Sequence, residues 1–233
     1  MMRLDKLLVE LNIGTRSEVK ALLKKGLILV DGTKVNKPEE KVDENKVVIS
    51  FAGKEYTYKK YHYYIMNKPK GVITATEDKR ETTVMDLFYQ RCPDAPKGLS
   101  PVGRLDKDTT GLLLITNDGQ FAHDMLSPKK HVDKTYFVTL DGELSSSEVA
   151  SLEAGVHIGE GDLTEQAKVD YRGGNTCYIT IHEGKFHQVK RMFHAVGRKV
   201  VELKRTSFGS LVLDEEKLPL GHFSELNSES IDS

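Results

Sequence analysis

The first sixty residues change hydrophobic period partway along. Leu4, Leu7, Leu8 and Leu11 recur at i, i+3, i+4 and i+7, which predicts an amphipathic helix with Gly14 as its stop. Thr15 or Ser17 can cap a second helix that turns Val19, Leu22 and Leu23 inward and ends at Gly26. A strand period follows: Leu27 to Val30, a tight Asp31-Gly32 turn, a returning Thr33 to Val35, and a last strand at Val47 to Ile49. The solvent faces of both helices are cationic, carrying Arg3, Lys6, Arg16, Lys20, Lys24 and Lys25. Lys54 to Tyr61 is polar and aromatic and reads as a linker, so a small domain is expected at 1–60 and a larger one at 61–233.

Beyond the linker, Tyr61 to Met66 is β-prone, Asn67 to Gly71 breaks the run, and Val72 to Ala75 resumes it. Helices are predicted at Thr82–Arg91, Phe121–Leu126, Ser145–Ala154 and Phe186–Ala195, the last ended by Gly197. Strands are predicted at Leu112–Thr116, Thr135–Leu140, Val156–Ile158, Ala167–Tyr171, Thr176–Ile181, Val200–Leu203 and Leu211–Leu213. Strands outnumber helices and often follow one another directly. The expected class is α+β, with a mixed, mainly antiparallel sheet in the larger domain.

Composition narrows the function classes. With 38% hydrophobic and 30% charged residues the chain reads as a soluble protein. Its longest purely aliphatic run, Leu112 to Ile115, is far short of a membrane span. The opening Met-Met-Arg-Leu-Asp-Lys has no apolar core, so no signal peptide and a cytoplasmic location are expected. Cys92 and Cys177 neither cluster nor sit beside metal-type ligands and read as reduced thiols. The net charge of −1 hides an asymmetry: residues 1–60 carry 13 Lys/Arg and 9 Asp/Glu. His182 to Arg205 carries seven Lys/Arg, three His and two Glu, while Asp214, Glu215, Glu216, Glu225, Glu229 and Asp232 make the tail acidic. Local basic patches are what a phosphate backbone feels within a Debye length of about 8–10 Å, so two regions are candidates for nucleic acid.

The densest chemistry lies in Gly103–Gly119, "GRLDKDTTGLLLITNDG", where charges and turn-formers abut an apolar run. Arg104 and Asp106 are two apart and would share a face of an extended backbone, with the arginine keeping the carboxylate ionised. Gly111 allows close backbone approach, and Leu112 to Ile115 would anchor the loop in the core. Three carboxylates compete for a chemical role. Asp118 precedes Gly119 and suits a turn or helix cap. Asp108 suits a loop brace, and Asp106 has the nearest guanidinium and an apolar flank in Leu105.

Two resemblances go further. Met2-Arg-Leu-Asp-Lys-Leu-Leu, Thr15-Arg-Ser-Glu and Gly26-Leu-Ile-Leu-Val-Asp-Gly resemble the S4 RNA-binding domain, whose two helices dock on structured RNA. That implies RNA contacts from Arg3, Arg16 and Lys20. Gly103–Gly119 is similar to the signature of bacterial pseudouridine synthases of the ribosomal branch, and the likeness continues through Tyr64–Gly71, Ser127–Leu140 and Glu183–Gly209. The resemblance implies an RNA isomerase that needs no cofactor or metal. It assigns the nucleophile to Asp106, for which the spacing offers Arg104 as electrostatic partner, a basic partner to Lys190 and an active-site tyrosine to Tyr136. It also implies an apolar uracil contact at Leu203 and a supporting loop at Asn67-Lys68-Pro69, with Lys68 as a substrate contact, while Arg191, about 100° round the helix from Lys190, is expected to meet RNA or aspartate side chains. A carboxylate could attack C1′ or serve as base at C2′, and either route needs it ionised. Read alone, a strand tyrosine is more often core, and Lys190 could be a solvated helix charge. His182, His187 and His194 have no carboxylate or cysteine at ligand spacing, so no metal is expected.

The strings "HQVKRMF", "SPKKHVDKTY" and "VVELKR" most resemble the small-subunit branch. That implies 16S rRNA, or an early 30S assembly particle, as partner and the uridine commonly numbered 516 as target, with the protein acting as a monomer. Two alternatives remain: a synthase acting on 23S rRNA, and a non-catalytic RNA-binding assembly factor.

Overall fold

The computed structural model describes residues 1–96, 98–159 and 161–226; Glu229 and Asp232 of the acidic tail lie outside these. The chain divides into two compact units, Met1–His62 with Cys92–Leu99, and Tyr63–Arg91 with Ser100–Ser233. The division returns Cys92–Leu99, a stretch inside the expected second domain, to the first unit, where Asn12 donates to the Ala95 carbonyl at 3.1 Å.

The first unit begins with β1 (Met2–Arg3), α1 (Leu4–Glu10) and α2 (Arg16–Lys24). Leu4, Leu7 and Leu8 are fully buried against Val19 and Leu23, as the helical spacing predicts. The stop of α1 is Asn12 rather than Gly14. Asn12 takes a φ of 56°, a left-handed conformation that Asn tolerates at a helix end. Thr15 caps α2 through a reciprocal pair with Glu18, and Gly26 (φ 65°) ends it. The strands β2 (Ile28–Val30), β3 (Thr33–Lys34), β4 (Lys41–Val42), β5 (Val48–Phe51) and β6 (Lys54–Thr57) follow. The order β3-β2-β5-β6 makes one antiparallel sheet, and β1 pairs with β4. Strand β6 occupies what reads as a linker. Its turn is Ala52-Gly53 with both φ values positive, and an alanine there carries no turn signal in sequence.

The second unit holds β7 (Tyr63–Lys68), α3 (Val84–Arg91), β8 (Ser100–Val102), β9 (Thr110–Thr116), α4 (Gly119–Leu126), β10 (Lys134–Leu140) and α5 (Ser146–Ala154). It continues with β11 (Lys168–Tyr171), β12 (Thr176–Ile181), α6 (Gln188–Ala195), β13 (Val200–Phe208), β14 (Leu211–Val212) and β15 (Phe223–Glu225). The sheet runs β11-β12-β10-β13-β9-β7-β15, with β14 on β13 and β8 on β9. Every pairing is antiparallel except β13 with β9, so the class is α+β with a mainly antiparallel sheet. Asn67 and Lys68 do not break β7 but complete it, both buried. Val72–Ala75 and Val156–Ile158 contribute only isolated bridges, at Ile73 and His157.

All seven residues of β9 are buried. Leu112 and Leu114 join Val102 and Phe208, flanked by Phe121 and Met125 of α4. Leu113 and Ile115 are equally buried and point to the opposite face. Each such side chain is worth about 1.5–3 kcal/mol of burial, which makes β9 a firm mount for the loop that precedes it. At its parallel edge, Thr110 faces Lys204 and Gly111 faces Arg205. A Cβ on Gly111 (φ 102°) would lie 2.2 Å from the Arg205 carbonyl oxygen, so only glycine fits. No helix among the described residues is long and apolar enough to cross a membrane.

Candidate active site

The loop between β8 and β9 carries Asp106, and its backbone is held from one side. The Leu105 carbonyl accepts from the Thr74 hydroxyl at 2.7 Å, and the Lys107 carbonyl accepts from the Gly71 amide at 2.8 Å. Lys68 does the rest. Its side chain is fully buried, and its ammonium donates to the carbonyls of Asp106 at 3.0 Å and Thr109 at 2.9 Å. Burial pulls its pKa down to about 8, against the opposing pull of Asp106 and Asp108. Lys68 therefore clamps the loop and does not reach into the cavity as a substrate contact, which corrects that expectation.

The charges around Asp106 come from α6 rather than from its neighbour in sequence. Lys190 Nζ lies 2.8 Å from Asp106 Oδ2 and 2.5 Å from Asp108 Oδ1. Burial alone would lower the lysine, but the hydrogen bonds and charges of the two carboxylates outweigh it and hold Lys190 above its ordinary value. The same hydrogen bond holds the Asp108 carboxyl below its usual range. His187 Nε2 lies 3.4 Å from Asp106 Oδ1. His187 and Lys190 are three apart at the start of α6, which places both on the face toward the loop.

Arg104 is not the electrostatic partner of Asp106. It is exposed on the cavity wall, and among the described residues it forms no ion pair with Asp106. The segment is no regular strand: Gly103 before it takes a φ of 73°, and the chain turns directly after it, where the Asp106 carbonyl accepts from the Thr109 amide. Asp118 caps α4, accepting from the amides of Gln120 and Phe121 at 3.1 Å each. The other two carboxylates thus resolve as a cap and as a second anion on Lys190.

Asp106 opens onto a cavity of about 510 Å³, a size suited to a small ligand. Tyr136 and Leu203 line it, 8% and 6% exposed, from the adjacent strands β10 and β13. Phe186 and His187 line it from the start of α6. Two buried cations, Lys134 and Arg205, complete it, and the Asp133 carboxylate acts on Lys134 from the neighbouring position. Sequence reasoning did not single out these two or Phe186. The period-two pattern of β10 and β13 could have marked Lys134 and Arg205 as inward-facing.

The remaining expected contacts lie elsewhere. Arg191 donates to the Phe186 carbonyl at 3.0 Å and pairs with Asp162 at 3.3 Å, so it is engaged within the protein rather than held out for substrate. Arg3 is paired bidentately with Asp5 at 3.0 Å. Arg16 and Lys20 are exposed on α2. His182 does have a carboxylate beside it, Glu165 at 2.9 Å, brought by the loop before β11. With His131 these are the described residues whose ligand atoms could gather round a cation, all within 4.8 Å of one another.

Comparison with known proteins agrees with this geometry. Residues 62–195 match the family described as RNA pseudouridylate synthase, and residues 2–48 match the S4 domain. The chain is 46% identical to an uncharacterized RNA pseudouridine synthase of Bacillus subtilis, across 99% of this chain and 97% of that one. It is 39% identical to the ribosomal small subunit pseudouridine synthase A of Vibrio cholerae, across 100% and 99%. A crystal structure of a pseudouridylate synthase superposes with a TM-score of 0.68 at 34% identity, covering 100% of this chain and 99% of the other. A cavity with a lysine-paired carboxylate, a matched span of more than half the chain and full-length relatives lead to one conclusion: the protein belongs to the RNA pseudouridylate synthase family, an RNA isomerase with an S4 domain at its N-terminal end.

Proposed function

We propose that the enzyme converts one uridine of small-subunit rRNA, that commonly numbered 516, to pseudouridine, with Asp106 as the carboxylate that acts on the ribose. The observation that carries the chemistry is Asp106 at the cavity wall with a cationic Lys190 at 2.8 Å. Isomerisation breaks the N1–C1′ bond, turns the uracil, joins C5 to C1′, releases the C5 proton and protonates N1, so atoms balance and no cosubstrate is consumed. Asp106 must be ionised to bond C1′ or to take the C2′ proton. Lys190 stays protonated and balances that charge, and it is shared between Asp106 and Asp108. Tyr136 and Leu203 supply a flat ring and an apolar wall for the extruded uracil, offsetting the stacking lost on base flipping. The cationic face of α2, with Arg16 and Lys20, fits the phosphates of folded RNA in the manner of an S4 domain. The small-subunit target is supported by full-length likeness to relatives named for that subunit.

The test incubates wild type and Asp106→Ala with 16S rRNA and with early 30S particles, and maps pseudouridine at nucleotide resolution. The expected result is one modified site from wild type and none from the variant. Product confined to 23S rRNA would move the target to the large subunit. Equal product from Asp106→Ala would remove the catalytic assignment.

A further inference from the structure

Phe186 is 69% exposed at the rim of the cavity that holds Asp106. An apolar ring left in water is ordinary, but this one is held in place with unusual care. Its carbonyl accepts from Arg191, which is itself tied to Asp162. The Lys185 amide donates to Gln188 Oε1 at 2.8 Å, and the buried Gln188 donates to the buried Glu183 at 2.6 Å. The Lys185 ammonium donates to the Leu163 carbonyl. The chain on both sides of Phe186 is therefore fixed, although the ring gains little burial from it.

Among the described residues the ring has one aromatic partner. His187 lies against it with ring centroids 3.8 Å apart and planes 19° from parallel. His187 holds a φ of 48°, which non-glycine residues adopt only at a cost. Its far edge reaches to 3.4 Å from Asp106. The two rings thus form a short stack that starts at the carboxylate and ends in a large open aromatic face.

We infer that Phe186 and His187 are a stacking platform for the nucleobase next to the target uridine. The inference rests on the reading that the cavity takes a uridine of RNA. Extruding a base leaves its neighbour with an uncovered π face, and an aromatic side chain covers that face whatever the base. A nucleotide whose ribose meets Asp106 has its chain neighbour one step away, which is where the stacked rings stand. Arg191 then acts as a positioning residue: it props the Phe186 backbone rather than gripping phosphate.

The test uses full-length wild type, Phe186→Ala and Phe186→Tyr in single-turnover pseudouridine formation. Small- and large-subunit rRNA transcripts are run side by side, so that whichever is converted carries the readout. Lack of conversion of the small-subunit transcript alone strikes the target proposal, not the platform. A second set of transcripts places an abasic ribose immediately before or after the mapped uridine. Phe186→Ala should lower single-turnover efficiency by about five- to one-hundredfold, and Phe186→Tyr should keep it. One of the two abasic transcripts should impair wild type to a similar degree, and Phe186→Ala should cost nothing more on that RNA. The platform is overturned if Phe186→Ala matches wild type on intact RNA. It is equally overturned if the variant loses as much on both abasic transcripts as on the intact one, which would mark a structural role.

Discussion

Lys190 stands between two carboxylates, and this sharing defines the charge state of the site. If the lysine balances an ionised Asp106 during the reaction, Lys190→Met should lower the single-turnover rate about a hundredfold or more with little change in RNA affinity. Loss carried by affinity alone would make it an RNA contact. Lys68 is a second residue with a definite signature. Its folded pKa of about 8 lies below the ordinary 10.5, so the unfolded chain binds a proton between those values that the folded chain has released. Stability from this residue is lost as pH falls through about 8 and gained as pH rises toward 10.5. Urea unfolding should show that rise in wild type and not in Lys68→Met. The variant should also be less stable at neutral pH by about 1–3 kcal/mol, because buried carbonyls lose their donor. The sequence marked Lys68 as part of a supporting loop. It could not show an ammonium aimed at the carbonyls of Asp106 and Thr109, since those residues lie some forty positions on.

At the scale of elements, the most legible were those whose hydrophobic period matches their burial. Strand β10 alternates buried and half-buried positions along its whole length, and α1 buries Leu4, Leu7 and Leu8 of the four leucines its spacing picks out. Short pieces such as β8 and β15 were missed because two or three residues carry no period. The parallel contact between β9 and β13 was not predictable from either strand, yet the site depends on it: it sets the start of β9 beside Leu203 and Arg205. Gly111→Ala tests that junction. Its Cβ would strike the Arg205 backbone at a positive φ, and a loss of about 2–4 kcal/mol in chemical denaturation is expected. Unchanged stability would mean that the two strands can part without cost.

At the scale of the molecule, a net charge of −1 conceals one basic helical face in the first unit and one basic segment around α6 in the second. Several cations of the second region are spent internally, Arg191 on Asp162 and Arg198 on Glu148. Those of α2 are exposed. Arg16→Ala with Lys20→Ala should weaken rRNA binding and reduce the salt dependence of log K by about 0.7–0.9 for each phosphate no longer neutralised. The single-turnover rate at saturating RNA should stay near that of wild type. An unchanged salt slope would exclude this face as a phosphate-binding surface.

What the sequence determined by itself was the set of parts: the α+β class, the capped helices, the buried β9, and a charged loop in which three aspartates compete for a chemical role. These are local facts, set by hydrophobic period, capping residues and turn-formers within a few positions of each other. Family resemblance picked out Asp106 and Lys190. Their pairing, and the displacement of Arg104 by Lys190 and His187, were decided only by tertiary structure. The physical reason is range. Charge partners more than eighty residues apart meet only when the sheet fixes where α6 begins, and no pattern along the chain encodes that distance.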